Sequence, residues 1–120
     1  MRSSHPLPKQ PHSMCLFEHV YFARPDTNLM GQNVYATRYR MGRRLAREAY
    51  VSADIVMPVP DSGVPAAIGY SQQSGIPFEL GIIRSHYVGR TFIQPSDSAR
   101  HTGVKRKHNA NRALVEGKRI

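Results

Sequence analysis

The sequence predicts an α/β domain built on a mostly parallel sheet flanked by helices. Three observations predict it. From Asp54 to Ile83 an apolar run (DIVMPV), a helical stretch and a second apolar run (Pro77 to Ile83) follow in strand, helix, strand order, which implies a right-handed crossover between parallel strands. Ahead of them, Gly31 to Tyr50 repeats Val34, Met41, Leu45 and Ala49 at helical spacing. Furthest upstream, Cys15 to Ala23 (CLFEHVYFA) is apolar or aromatic at most positions, the composition of a buried strand.

Each element carries its own punctuation. Arg24-Pro25-Asp26 ends the first strand. The helix within Gly31 to Tyr50 carries Arg38, Arg40, Arg43, Arg44 and Arg47 on its other faces, and Asn28 is its candidate cap. Pro60 closes the run from Asp54 to Val59. The next helix opens at Pro65 and stops near Ser74-Gly75, with proline in the first turn and glycine after the last. Residues 84 to 112 are polar and basic, with no element assigned, and Gly117-Lys118-Arg119-Ile120 reads as the approach to another strand. Residues 1 to 14 hold three prolines and no periodicity, which makes them an extended connector.

Composition sets limits on function. With 120 residues and 40% apolar content, the chain suffices for one modest domain or part of one. Seventeen Lys and Arg against eight Asp and Glu give a net charge of +9, and residues 84 to 119 concentrate nine basic against two acidic side chains. That region calls for an anionic ligand. Cys15 is the only cysteine, so no internal disulfide forms and a reducing cytoplasm is the expected setting. No apolar run approaches the roughly 20 residues that span a bilayer.

Two loops stand where strands end. Asp61-Ser62-Gly63 lies between an apolar run and a helix, and in open parallel sheets ligands bind beyond the carboxyl ends of the strands. Its backbone amides and the following helix start suit a diphosphate, Gly63 clears space for close approach, and Ser62 offers an oxygen to an anion or to magnesium. A plain turn with a helix cap reads equally well from spacing alone. The second loop leaves the Leu80 to Ile83 run with Arg84, His86 and Arg90 around a glycine hinge (Tyr87-Val88-Gly89-Arg90-Thr91-Phe92-Ile93), followed by Arg100, Lys105, Arg106 and Lys107. Guanidinium groups bind phosphate in bidentate fashion, and such a loop can close as a lid. A solvated basic loop is the alternative.

The stretches CLFEHVYFARPD, VPDSGVPAAIGY, GIPFELGIIRSHYVGRTFIQPS and HNANRALVEGKRI together resemble the amidophosphoribosyltransferase (glutamine phosphoribosylpyrophosphate amidotransferase) family, from about residue 5 to Ile120. The resemblance implies a partial type I phosphoribosyltransferase fold, truncated before the central strand that binds ribose phosphate. Residues 1–14 would then be the connector from a missing glutaminase domain, and 15–120 the N-terminal part of the phosphoribosyltransferase domain. The implied reaction is the first step of purine synthesis: ammonia from glutamine displaces pyrophosphate from phosphoribosyl pyrophosphate, giving 5-phosphoribosylamine.

Site roles follow from the same resemblance. Asp61, Ser62 and Gly63 match the pyrophosphate loop, with Ser62 at a position associated with magnesium. Arg84, Tyr87, Arg90 and Thr91 are the implied catalytic set, Arg84 and Arg90 on the leaving group or phosphate, while Tyr87 and the substrate-binding Ile93 form the closed lid. Cys15 matches one of four ligands to a [4Fe-4S] cluster found in part of the family. The implied partners are phosphoribosyl pyrophosphate, glutamine-derived ammonia, the glutaminase domain and further copies of the same chain, in the cytoplasm, with no nucleic acid and no membrane.

Some positions depart from the family pattern. Ser85 stands where Asn is frequent and Asp97 where Gln is usual, and the twin-acidic strand and its Ser/Thr-rich loop are not among the 120 residues. The expectation is an internal fragment, catalytically silent alone, and marginally stable because the Asp54 to Val59 strand lacks a neighbour. Two other classes compete: a non-catalytic regulator on the same fold, and a small basic nucleic-acid-binding protein. The latter explains the charge but not the strand, helix, strand order or the Asp-Ser-Gly loop.

Overall fold

The computed structural model describes residues 8, 11, 13–89 and 96–120, without the side chains of 99 and 100. Its longest element, α1 (Val34–Glu48), begins where Asn33 accepts a hydrogen bond from the Ala36 amide through its side-chain oxygen, 3.0 Å away. Asn33 is therefore the cap, and Asn28 lies instead in the short strand β1 (Asn28–Leu29), which pairs antiparallel with β2 (Gln32–Asn33). Around that hairpin Met30 and Gly31 take positive φ.

The buried stripe of α1 is Val34, Arg38, Gly42 and Ala46, not the expected Met41, Leu45 and Ala49, which are exposed. The reason is the neighbour. Helix α2 (Val64–Ser74) packs so tightly on α1 that a Cβ on Gly42 would overlap the Ala66 carbonyl, and one on Gly69 would overlap the Tyr39 carbonyl. Only small residues fit a seam with backbones this close, so larger side chains are displaced to its margins. Helix α2 has its expected punctuation: Pro65 in the first turn, and a left-handed Gly75 whose amide donates to the Ser71 carbonyl over 2.9 Å.

Arg38 departs most from the sequence reading. Expected on a solvated face, it is 2% exposed and its guanidinium donates to the carbonyls of His19 (2.7 Å) and Ala23 (2.9 Å). Those carbonyls belong to the segment expected as a buried strand. Instead Glu18–Phe22 forms one π-helical turn, with Phe17, Tyr21 and Phe22 exposed and in mutual ring contact at 5.3–5.5 Å. Short apolar runs fit strand or helix equally, and here the cation that collects the turn's carbonyls decides. Burial without an anionic partner lowers the Arg38 pKa by desolvation.

The expected crossover is present in reduced form. Val56 and Phe78 form a parallel bridge, with the Val56 amide on the Pro77 carbonyl (2.8 Å) and the Glu79 amide on the Val56 carbonyl (3.0 Å). The other pairing is antiparallel: β3 (Ile82–Arg84) with β4 (His108–Ala110), in the register Ile82–Ala110, Ile83–Asn109 and Arg84–His108. A mostly parallel sheet is therefore not what the described residues form. Their architecture is helices with two small antiparallel pairs and one parallel contact. The unassigned basic stretch supplies α3 (Asp97–Lys107), with Asp97 in its first turn and Lys105, Arg106 and Lys107 in its last, signs that suit the helix dipole. The short α4 (Arg112–Val115) follows.

Arg119 runs beside Asp54: its carbonyl accepts from the Asp54 amide (2.9 Å), and its amide and guanidinium reach the Asp54 carboxylate (2.8 and 3.1 Å). These hydrogen bonds hold the Asp54 carboxyl at about 2, below its ordinary 3.8. A depressed carboxylate contributes stability above its unfolded pKa and loses it as pH falls through the folded value. Acid titration of stability should thus show a loss between about pH 4 and pH 2 that Asp54→Asn flattens, read by circular dichroism. Gly42→Ala should lower stability by about 1–3 kcal/mol through overpacking of the helix seam, read as a reduced denaturant midpoint at unchanged slope.

Candidate functional site

Because Val56 and Phe78 are parallel neighbours, the two chains leave the bridge in the same direction. The first enters the Asp61-Ser62-Gly63 loop and the second ends β3 at Arg84. They meet there. Arg84 donates through Nη1 to the Asp61 Oδ2, a contact that joins the two loops singled out in the sequence. The Arg84 side chain is 33% exposed and Asp61 57%, so the pair sits at the rim of the fold. The Arg84 Nε is buried and has no hydrogen-bond partner among the described residues.

The first loop is shaped by its backbone. The Pro60–Asp61 peptide is cis, the Val64 amide donates to the Asp61 carbonyl (3.3 Å), and the Ala67 amide to the Gly63 carbonyl (3.0 Å). A Cβ on Gly63 would lie 2.9 Å from the Val59 carbonyl oxygen, so this turn requires glycine. Gly63 caps α2 with no side-chain hydrogen bond, and the helix start keeps its partial positive charge directed at the loop. Ser62 is half-buried beside it.

More positive charge arrives through β4. The β3–β4 register sets Arg84 against His108, and the Ser85 amide donates to the Lys107 carbonyl at 2.7 Å. The basic last turn of α3 therefore abuts the strand end that carries Arg84. Sequence order gave no hint of this closeness, since more than twenty positions separate the two.

Of the other expected site residues, Tyr87 is fully exposed, while Arg90, Thr91 and Ile93 lie outside the described residues. Cys15 is an exposed free thiol ahead of the π-helical turn rather than part of a buried strand. Among the described residues no group of three or more His, Cys, Asp or Glu is arranged to hold a metal ion. A separate cavity of about 460 Å³ lies between the helices and residues 51–57, lined by Leu45, Ile55, Tyr70, Ile76 and Ile120 among others. None of its lining residues is charged, which suits apolar packing and not a phosphate.

No family profile matches the chain. Comparison with individual proteins is decisive: the amidophosphoribosyltransferase of Rhizobium etli is 64% identical over 115 residues, 96% of this chain and 23% of the relative. This chain corresponds to a segment of amidophosphoribosyltransferase. The Bacillus subtilis amidophosphoribosyltransferase is 54% identical over 108 residues, 90% of this chain and 23% of its own length. A solved structure of glutamine phosphoribosylpyrophosphate amidotransferase from B. subtilis, complexed with ADP and GMP, matches with a TM-score of 0.77 at 54% identity, covering 90% of this chain and 24% of that one. The chain thus spans less than a quarter of the length of these amidophosphoribosyltransferases.

Both loops are recognisable in the sequence, but their contact is not. The missing step was available: two neighbouring parallel strands deliver their carboxyl ends to one edge, and one ends in an acid while the other ends in a base. Arg38 was missed for a different reason. An arginine among four others on one helix carries no sequence mark of burial.

Proposed function

We propose that this chain supplies the phosphoribosyl pyrophosphate-binding part of an amidophosphoribosyltransferase, the enzyme that uses glutamine-derived ammonia to make 5-phosphoribosylamine. Residues 15–120 would belong to a type I phosphoribosyltransferase domain and 1–14 to the connector from a glutaminase domain, in a cytoplasmic enzyme. The observation that carries this reading is the meeting of Asp61-Ser62-Gly63 with Arg84 at one edge, beside the start of α2 and the basic end of α3.

That arrangement suits a departing diphosphate. Negative charge grows on the leaving group as its bond to the sugar breaks, and fixed donors aimed at that charge lower the barrier. Gly63 lets the loop fold closely against the Val59 carbonyl, Arg84 presents guanidinium donors, and Arg90 and Thr91 of the following loop would complete the enclosure with Tyr87 and Ile93 as its cover. No helix of the described residues is long and apolar enough to cross a membrane, in keeping with small soluble metabolites as substrates.

The cofactor expectations fare differently. Asp61 and Ser62 supply hard oxygen donors next to the anion position, which fits magnesium; when bound, the ion would neutralise diphosphate charge. Four thiolates hold a [4Fe-4S] cluster, and Cys15 is the single cysteine of the chain. These residues do not hold such a cluster by themselves, and no step here depends on one.

Titration calorimetry of the full-length protein with magnesium phosphoribosyl pyrophosphate should give saturable binding that Arg84→Ala weakens at least about tenfold, as expected for one lost charge-assisted contact. Absence of binding, or an unaffected Arg84→Ala variant, would overturn this assignment.

A further inference from the structure

In the structure Arg84 is already engaged. Its Nη1 donates to the Asp61 carboxylate, while its buried Nε has no hydrogen-bond partner among the described residues. A guanidinium presents five donors in a fixed fork, and a bidentate anion takes two neighbouring ones. Asp61 takes one, at Nη1, through a single oxygen, Oδ2. A pair this exposed is weak, worth little against solvent and salt.

We infer that Asp61 is an intramolecular competitor for the anion: its carboxylate occupies Arg84 in the ligand-free protein and must release it when a diphosphate arrives. This inference rests on the reading of the two loops as one diphosphate site, and it adds a property that reading does not contain. Asp61 acts as a positioning residue. It holds the Arg84 fork at the loop edge, ready for exchange, and it lowers the affinity for diphosphate by the strength of the pair that must break. An anion that spans Nη1 and Nη2, the two donors at the end of the fork, satisfies two donors where Asp61 satisfies one. A single-oxygen contact gains nothing in the exchange, so the latch favours bidentate phosphoryl groups over monodentate anions such as chloride.

The geometry also fixes what else faces the pair. His108 lies opposite Arg84 in the β3–β4 register and Lys107 borders Ser85. No second carboxylate is paired with Arg84 among the described residues. Removing the Asp61 charge should therefore leave Arg84 open to an external anion.

The test is calorimetry of the full-length protein with inorganic pyrophosphate in the presence of a chelator, so that no divalent ion contributes. Asp61→Asn should bind pyrophosphate about two- to fivefold more tightly than the parent, the range that an exposed ion pair can withhold. The same substitution in an Arg84→Gln background should change nothing. Equal affinities of Asp61→Asn and the parent would overturn the competition while leaving the diphosphate reading intact. A gain that persists without Arg84 would also overturn it, since removal of general repulsion then explains the effect. Absence of pyrophosphate binding in all four proteins would overturn both readings. Asp61 is exposed, and matched thermal transitions of parent and variant establish that the comparison is between folded proteins.

Discussion

The whole arrangement depends on how closely α1 and α2 approach one another. Their backbones touch through Gly42 against Ala66 and Gly69 against Tyr39, a contact that no larger residue allows. Since α2 begins at the Asp61-Ser62-Gly63 loop, the seam also fixes where that loop stands. Among the described residues the buried apolar side chains are few, Val34, Ala46, Ile55 and Ile76 with Pro58 and Pro65, so little else could place it. A small core leaves fold and site resting on the same contact.

A second constraint works one turn earlier on the same buried stripe of α1. Arg38 collects two carbonyls of the π-helical turn, and burying a cation is tolerable only when hydrogen bonds replace its hydration. That side chain ties the turn to α1 while its aromatic rings face outward. Thus one stripe of α1 organises both neighbours, through Gly42 where α2 packs and through a buried guanidinium one turn before it. The Asp54–Arg119 hydrogen bonds then secure the edge next to the parallel bridge.

Legibility followed locality. Pro65 and Gly75 bracketed α2 correctly because helix ends are set by single-residue conformational preferences. The crossover was legible from the order of elements, as the Val56–Phe78 bridge bears out. The π-helical turn, the β3–β4 pairing and the burial of Arg38 were not, for they depend on partners distant in sequence: Arg38 reaches His19, and Arg84 faces His108. In the candidate site, the loops themselves were recognisable from residue types, and Asp61, Ser62, Gly63 and Arg84 were all named. Their convergence needed the register of two strands, which composition does not encode. Met41 and Leu45 misled because apolar periodicity was taken to mark the seam, whereas close helix packing selects small residues.

The central claim is that two strand ends form one anion site. Backbone amide shifts of the full-length protein, followed by NMR as magnesium phosphoribosyl pyrophosphate is added, test it most directly. The account predicts that Ser62, Gly63 and Val64 shift together with Arg84 and Ser85, along one binding curve with a common midpoint. Shifts confined to one loop, or two loops responding at different concentrations, would contradict it.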